Sequence, residues 1–221
     1  MSEPLVAGVV CEGHTDFPVL RAIVESLWPE IDDVLCLQPQ LDATQKASNP
    51  AGWSEVRRWC EDHAGELDDV IESDIGDPLC VLIIAIDVDI AVQAKIANPP
   101  QDVGAYETTR LKNKIRSWCR TAQRKKIPPR VVLSTPVMAI ENWVIAALFP
   151  RERRVESVED PAGFLVNKDR LRLSPSDGKP WKELHRYQAF GQQVGAKLSK
   201  VRKACSEAEA TCSAIEQLRD L

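Results

Sequence analysis

No stretch of this 221-residue chain approaches the roughly 20 apolar residues that a membrane-crossing helix needs. Its most apolar segment, VLIIAI, is six residues long, so no membrane partner is expected. The opening MSEPLVAGVV lacks a basic n-region and a small-residue cleavage site, which points to a cytoplasmic protein without a secretory leader. There is no CxxC and no paired His/Cys spacing, so a zinc centre is not expected. The seven cysteines are scattered and odd in number, and the simplest reading is free, mostly buried thiols. No GxxxxGK[ST] occurs, which leaves the chain without a phosphate loop of its own. Internal repeats are also missing.

Charge is plentiful but unevenly placed. The formal net charge is -5, from 28 Lys and Arg against 33 Asp and Glu. Before residue 108 there are 21 acids and 5 bases, whereas Arg110 to Arg130 holds nine bases and no acid. One surface suited to cations and another suited to an anionic polymer would produce this split. A solvated helix face is the competing reading of the basic block.

Over the first 150 residues the hydrophobic pattern alternates between strand and helix. Leu5 to Cys11 (LVAGVVC) reads as a buried strand that stops at Glu12-Gly13. A helix follows, with Thr15 as N-cap and Phe17, Leu20, Ile23, Val24 and Leu27 at helical spacing. Asp33 to Leu37 is a second strand, Gln38 to Gly52 a long loop, and Trp53 to Leu67 an amphipathic helix that fades into the acidic segment 68–77. Leu79 to Ile86 (LCVLIIAI) is continuously apolar, as expected of a central parallel strand covered on both faces. Beyond an Asn-Pro-Pro loop, Leu111, Ile115, Trp118 and Ala122 mark the buried stripe of a basic helix running from Arg110 to Lys126. Val131 to Ser134 is a fourth strand, followed by a helix from Ala139 to Phe149. The expected fold is α/β, a parallel sheet flanked by helices over residues 1–150. Residues 151–221 form an extension that packs on or completes the same domain, irregular to about residue 188 and then one or two closing helices.

Ligands of open α/β sheets bind beyond the carboxyl ends of the strands. Glu12 lies at one such end, Asp87 and Asp89 at another, and Glu141 shortly after a third. Asp87 and Asp89 face the same side if extended geometry persists past the strand. A helix beginning near Thr15 brings Glu12 and Asp16 to the same corner. Carboxylates crowded in this way repel unless a cation neutralises them, and oxygen ligands select a hard divalent ion such as Mg²⁺. Strand-end acids that merely cap the next element are the alternative.

The order Glu12-Gly13-His14-Thr15-Asp16, then Asp87-Val88-Asp89, then Pro136-Val-Met-Ala-Ile-Glu141-Asn-Trp143 resembles the Toprim domain. Within that superfamily it is similar to small stand-alone proteins related to the OLD (overcoming lysogenization defect) nucleases, often associated with bacterial defence. The resemblance covers residues 5 to 149. It implies a Toprim-like (Rossmann-like) sheet, with Glu12, Asp87 and Asp89 as catalytic acids. Glu12, Asp16, Asp87, Asp89 and Glu141 would hold one or two Mg²⁺ or Mn²⁺ ions. Ala139 stands where the family commonly has Ser, which removes a possible oxygen ligand. A lysine from the C-terminal part often balances phosphate charge; Lys179, Lys182 and Lys197 are candidates. Only Tyr106 and Tyr187 are present, and neither sits in a recognisable nucleophile domain, so topoisomerase chemistry is not expected.

The implied function is Mg²⁺-dependent phosphodiester hydrolysis, a DNA or RNA nuclease in defence or a toxin-like effector. A non-catalytic module that binds nucleic acid or a separate ATPase partner is the alternative, and primase-type nucleotidyl transfer a third reading. Arg110, Lys114 and Arg120 are candidates for backbone phosphate contacts, with His14, Lys179 and Lys182 nearer the acids. Trp118 and Trp143 read as core anchors. His185, beside Lys182 and Arg186, is either a phosphate ligand or simply exposed. Oligomeric state has no sequence signal.

Overall fold

The β-branched and aliphatic runs become four parallel strands, and the amphipathic segments between them become covering helices. The computed structural model describes residues 4–40, 51–72, 77–91 and 105–220. In chain order the elements begin with β1 (Val6–Val10), α1 (Asp16–Leu27), β2 (Asp33–Gln38), α2 (Trp53–Asp62), α3 (Leu67–Glu72) and β3 (Leu79–Ala85). They continue with α4 (Ala105–Trp118), β4 (Val131–Ser134), α5 (Glu141–Leu148) and α6 (Pro161–Asn167). The short strands β5 (Arg172–Leu173) and β6 (Pro180–Trp181), then α7 (Leu184–Ala196), α8 (Leu198–Ala204) and α9 (Ser206–Arg219), complete the set.

The sheet order is β2-β1-β3-β4, all parallel, so β1 and β3 are central and their carboxyl ends lie side by side. This is an α/β fold. β3 alternates between two cores: Val81, Ile83 and Ala85 on one face, Leu82, Ile84 and Ile86 on the other. Val81, Leu82, Ile83 and Ile84 are each 0% exposed, and burying such a side chain stabilises by about 1.5–3 kcal/mol. That explains why the continuous apolar run, rather than an alternating one, marks the centre of the sheet. α2, α3 and α4 cover the second face, where Leu111, Ile115 and Trp118 are buried. α1, α5 and the C-terminal helices cover the first.

The last third is more ordered than the sequence pattern implies. Residues 151–188, expected to be irregular, hold α6 and the antiparallel β5–β6 hairpin. Phe190, Val194, Leu198, Val201, Cys205, Cys212 and Ile215 enter the same buried cluster as Val9, Ile23 and Val144. α7 lies directly on α1. A Cβ at Gly191 would sit 2.3 Å from the Pro18 carbonyl oxygen, and one at Gly195 would sit 2.6 Å from Ser26 Oγ. Glycine at both positions lets the two helix backbones approach closely.

Several expected boundaries move. The basic helix ends at Trp118 rather than Lys126, and Ala122 is exposed instead of extending the buried stripe. Thr121 closes a local turn with Arg124, its N–H reaching the Arg124 carbonyl and its Oγ1 accepting from the Arg124 N–H at 3.0 Å. Such side-chain bonds compete with helix continuation, and Pro128-Pro129 lies just ahead. The start of the acidic segment after α2 forms α3 instead of fading, and residues 73–76 lie outside the described residues. The fifth helix starts at Glu141, not Ala139; Met138 sits just before it with φ of 60°. Thr15 occupies the N-cap position of α1 without a side-chain capping bond, while Asp16 at the start of the helix reaches back to accept the Gly13 N–H. Most of the Gln38–Gly52 loop and the Asn-Pro-Pro loop lie outside the described residues. No helix among the described residues is long and apolar enough to cross a membrane.

Candidate functional site

Each carboxylate is positioned by the backbone around it. β1 ends at Val10, and Glu12 turns across the sheet so that its Oε1 accepts the Asp87 N–H at 2.8 Å. Asp16 opens α1 and folds back, its Oδ2 accepting from the Gly13 N–H at 2.8 Å. Asp87 follows β3, and its Oδ1 accepts the Ile140 N–H at 3.1 Å, tying the third strand to the entry of α5. Asp87 and Asp89 are not extended. Val88–Ala91 is a 3₁₀ turn, because Val88 and Asp89 donate to the carbonyls of Pro136 and Met138 in the crossing segment. The two acids reach the same site through that turn rather than through strand alternation.

Glu141, 1% exposed, completes the cluster. Its Oε1 accepts from the Tyr187 hydroxyl at 2.5 Å and lies 2.7 Å from Lys182 Nζ. Its Oε2 is buried with no hydrogen-bond partner. Trp143 in the same helix is fully buried and holds α5 against the sheet, as the sequence reading expected of it.

The electrostatics follow from crowding and burial. Burial, then the neighbouring charges of Asp16 and Asp89, pushes Glu12 from 4.5 up to about 8, although the bond from Asp87 N–H opposes. Burial likewise raises Asp16 to about 7, against the pull of Lys182. Asp87 is raised well above the carboxylate range by burial and by Asp16, Glu12 and Glu141; Asp89 is also raised. Glu141 goes the other way: burial opposes its charge, but Lys182 and the Tyr187 hydroxyl hold it below its usual value. Lys182 is itself raised, since Glu141 and Asp16 outweigh its partial desolvation. His14 is lowered by burial and by the Lys182 charge, which places it at the same mouth. Four acids are thus pushed up, while Glu141 is held ionised through contacts to Oε1 alone, its Oε2 lacking a partner.

The cluster therefore joins Glu12, Asp16, Asp87, Asp89 and Glu141 with His14 and Lys182. Of the three candidate lysines, Lys182 is the one whose amine reaches the acids. Lys179 is exposed at the hairpin turn, and Lys197 donates to Gln193 at the end of α7. The basic block does not join as a unit. Arg110 and Lys114 are exposed on α4, while Arg120 is exposed beyond its end. Lys112 is instead drawn inward by Glu207, 2.5 Å away, which also accepts from Thr135 Oγ1 at 2.9 Å. Arg124 pairs with Asp68. Trp118 is 6% exposed and stacks on Trp53, so it is core. All seven cysteines are free thiols. Sequence reasoning missed Tyr187, because a tyrosine five residues past a lysine carries no motif. It missed Glu207 as well, whose partners Lys112 and Thr135 are far away in the chain.

No family model, no curated protein and no solved structure matches this chain. The Toprim resemblance accordingly stands on the residues themselves. Among the described residues no three His, Cys, Asp or Glu side chains already form a ready metal-ligand set. The donor chemistry nonetheless fits a hard divalent cation. All the donors are carboxylate oxygens; four of the five acids are pushed up by one another and by burial; and Glu141 Oε2 is a buried oxygen that lacks a partner.

Proposed function

We propose that the chain is a Toprim-like, Mg²⁺- or Mn²⁺-dependent phosphodiesterase acting on nucleic acid. The observation that carries this reading is the meeting of Glu12, Asp16, Asp87, Asp89 and Glu141 with Lys182 at the carboxyl end of a parallel sheet. Glu12, Asp87 and Asp89 would hold one ion, with Asp16 and Glu141 supporting it or a second. Such an ion supplies Lewis-acid stabilisation of phosphoryl oxygens and lowers the pKa of bound water.

The chain's own groups do the rest. Lys182, with its side chain 44% exposed, offers positive charge to a phosphate while its amine stays near Glu141. The backbone N–H groups of Gly13, Asp87 and Ile140 hold Asp16, Glu12 and Asp87 in place, so little reorganisation is needed when the charge at the site changes. Glu12, Asp16, Asp87 and Asp89 are all pushed above their ordinary values, so the cluster as a whole holds protons that a bound cation would displace.

The test is incubation of purified protein with plasmid, single-stranded DNA and RNA, each with Mg²⁺, Mn²⁺ or EDTA, beside Glu12→Gln and Asp87→Asn. Metal-dependent cleavage lost in both variants is expected. Cleavage that survives both substitutions sinks the assignment. One observation favours a second reading. Glu141 is already ion-paired with Lys182 and hydrogen-bonded by Tyr187, so its Oε1 is less free to take a metal, as a module that binds nucleic acid or a partner ATPase without cutting would require. Metal-independent binding with no cleavage would select it.

A further inference from the structure

Trp181 is out of place for a tryptophan in this chain. The other five are buried or half-buried, whereas Trp181 is 45% exposed. Among the described residues the exposed large hydrophobics are Leu35, Leu173 and Trp181, and two of these three share the β5–β6 hairpin. The register places Leu173 and Trp181 on opposite faces of the hairpin, so Trp181 stands as a single exposed ring on its own face.

The hairpin stands at the rim of the carboxylate cluster. Trp181 immediately precedes Lys182, whose Nζ is 2.7 Å from Glu141 Oε1, and adjacent Cα atoms are about 3.8 Å apart. Antiparallel register pairs Trp181 with Arg172 and Pro180 with Leu173. Directly opposed residues share a face, so Trp181 and Arg172, both exposed, project from the same face of the hairpin. Of the bases between Lys168 and Arg186, Arg170 lies over Phe149 and Arg186 pairs with Glu183, while Arg172 in β5 and Lys179 just before β6 are exposed. An aromatic face flanked by basic groups is the pairing by which proteins hold unpaired nucleotides: the base stacks and the phosphate meets the cation. A duplex cannot use it, because its base faces are already covered.

We propose that the Trp181 ring is a stacking platform for an unpaired nucleobase, with Arg172 and Lys179 on the adjoining phosphates. The substrate class of the site is then single-stranded or locally unpaired nucleic acid. This rests on the phosphodiesterase reading for its purpose, but its binding test does not depend on cleavage.

The experiment measures anisotropy of three labelled probes, an oligothymidylate, an abasic backbone of the same length and a duplex of that length, in EDTA. Wild type, Trp181→Ala and Trp181→Phe are compared, with thermal melting to verify folding. Wild type is expected to prefer the oligothymidylate over the abasic strand by about ten-fold, the scale of one stacked base. Trp181→Ala should abolish that preference, Trp181→Phe should keep most of it, and duplex binding should not change. Equal affinity of wild type and Trp181→Ala for the oligothymidylate overturns the platform, as does failure of wild type to bind any of the probes. Base preference without metal-dependent cleavage would uphold the platform and reject the phosphodiesterase. Asp87-dependent cleavage with no effect of Trp181→Ala would do the reverse.

Discussion

Removing the charge of Glu12 should stabilise the metal-free protein at alkaline pH, the opposite of what deleting a structural acid does. Its carboxyl is raised from 4.5 to about 8 in the folded chain, chiefly by burial. A group whose folded pKa lies above its unfolded value binds more protons in the native state. The stability it contributes is full below pH 4.5 and is lost as pH rises towards about 8. Each pH unit inside that window corresponds to about 1.4 kcal/mol per group, so the interval from pH 5 to 8 carries up to about 4 kcal/mol from Glu12. For a chain of this size about 1 kcal/mol shifts Tm by roughly 2–4 °C. A fall on the order of 10 °C between pH 5 and 8 is therefore expected in EDTA. Asp16, raised from 3.8 to about 7, adds in the same direction. His14 acts oppositely, because its lowered pKa means that the unfolded chain binds the extra proton; its share is confined to pH below about 6.5.

Glu12→Gln isolates the term. The amide oxygen still accepts the Asp87 N–H, and no charge remains to be desolvated. Scanning calorimetry at half-unit pH intervals in EDTA should show the variant with a shallower slope than wild type and a higher Tm at pH 8. Mg²⁺ should raise the wild-type Tm more at pH 8 than at pH 5.5, because a cation competes with the proton on the same oxygens. Glu12→Gln should respond weakly. Parallel slopes for variant and wild type, or a variant less stable than wild type at pH 8, would refute the reasoning.

Tyr187→Phe keeps the ring but removes the 2.5 Å hydroxyl bond to a buried carboxylate; urea denaturation should show a loss of about 1.5–3 kcal/mol. Lys182→Met leaves Glu141 without its ammonium, and since that lysine is 44% exposed a loss of about 1–2 kcal/mol is expected by the same method. Carbon-13 NMR of the Glu141 carboxyl should place its pKa higher in Lys182→Met than in wild type. Gly191→Ala puts a Cβ 2.3 Å from the Pro18 carbonyl, so α7 must move off α1, with a loss of about 3 kcal/mol or more in thermal unfolding.

The sheet was legible because its signals are local. Continuous apolar runs specify buried parallel strands, and Leu79 to Ile86 is such a run whatever surrounds it. All five acids of the cluster were named from the sequence, and Glu12, Asp87 and Asp89 were legible for a related reason: a carboxylate that interrupts β-branched residues must lie where the strand leaves the core. How Asp87 and Asp89 converge was not, because the 3₁₀ turn depends on carbonyls of Pro136 and Met138 some fifty residues later. The length of the basic helix was misjudged since composition registers charge but not the Thr121 turn that ends it. Lys182 could be shortlisted and not chosen.

What selected Lys182 is the packing of a distant helix. Gly191 and Gly195 draw α7 onto α1, which carries Asp16 at its start. The same helix sets Tyr187 against Glu141 on α5, and the hairpin leading into it delivers Lys182 to that carboxylate. The acids come from the sheet, while the cation and the phenol come from the C-terminal third, and the α7–α1 contact is one of several that join the two. Loosening that contact should therefore change the site's electrostatics as well as its stability. In Gly191→Ala the Glu141 carboxyl should titrate higher than in wild type even at temperatures where the protein remains folded. An unchanged Glu141 titration in a destabilised Gly191→Ala protein would mean that the hairpin holds Lys182 in place without help from α7.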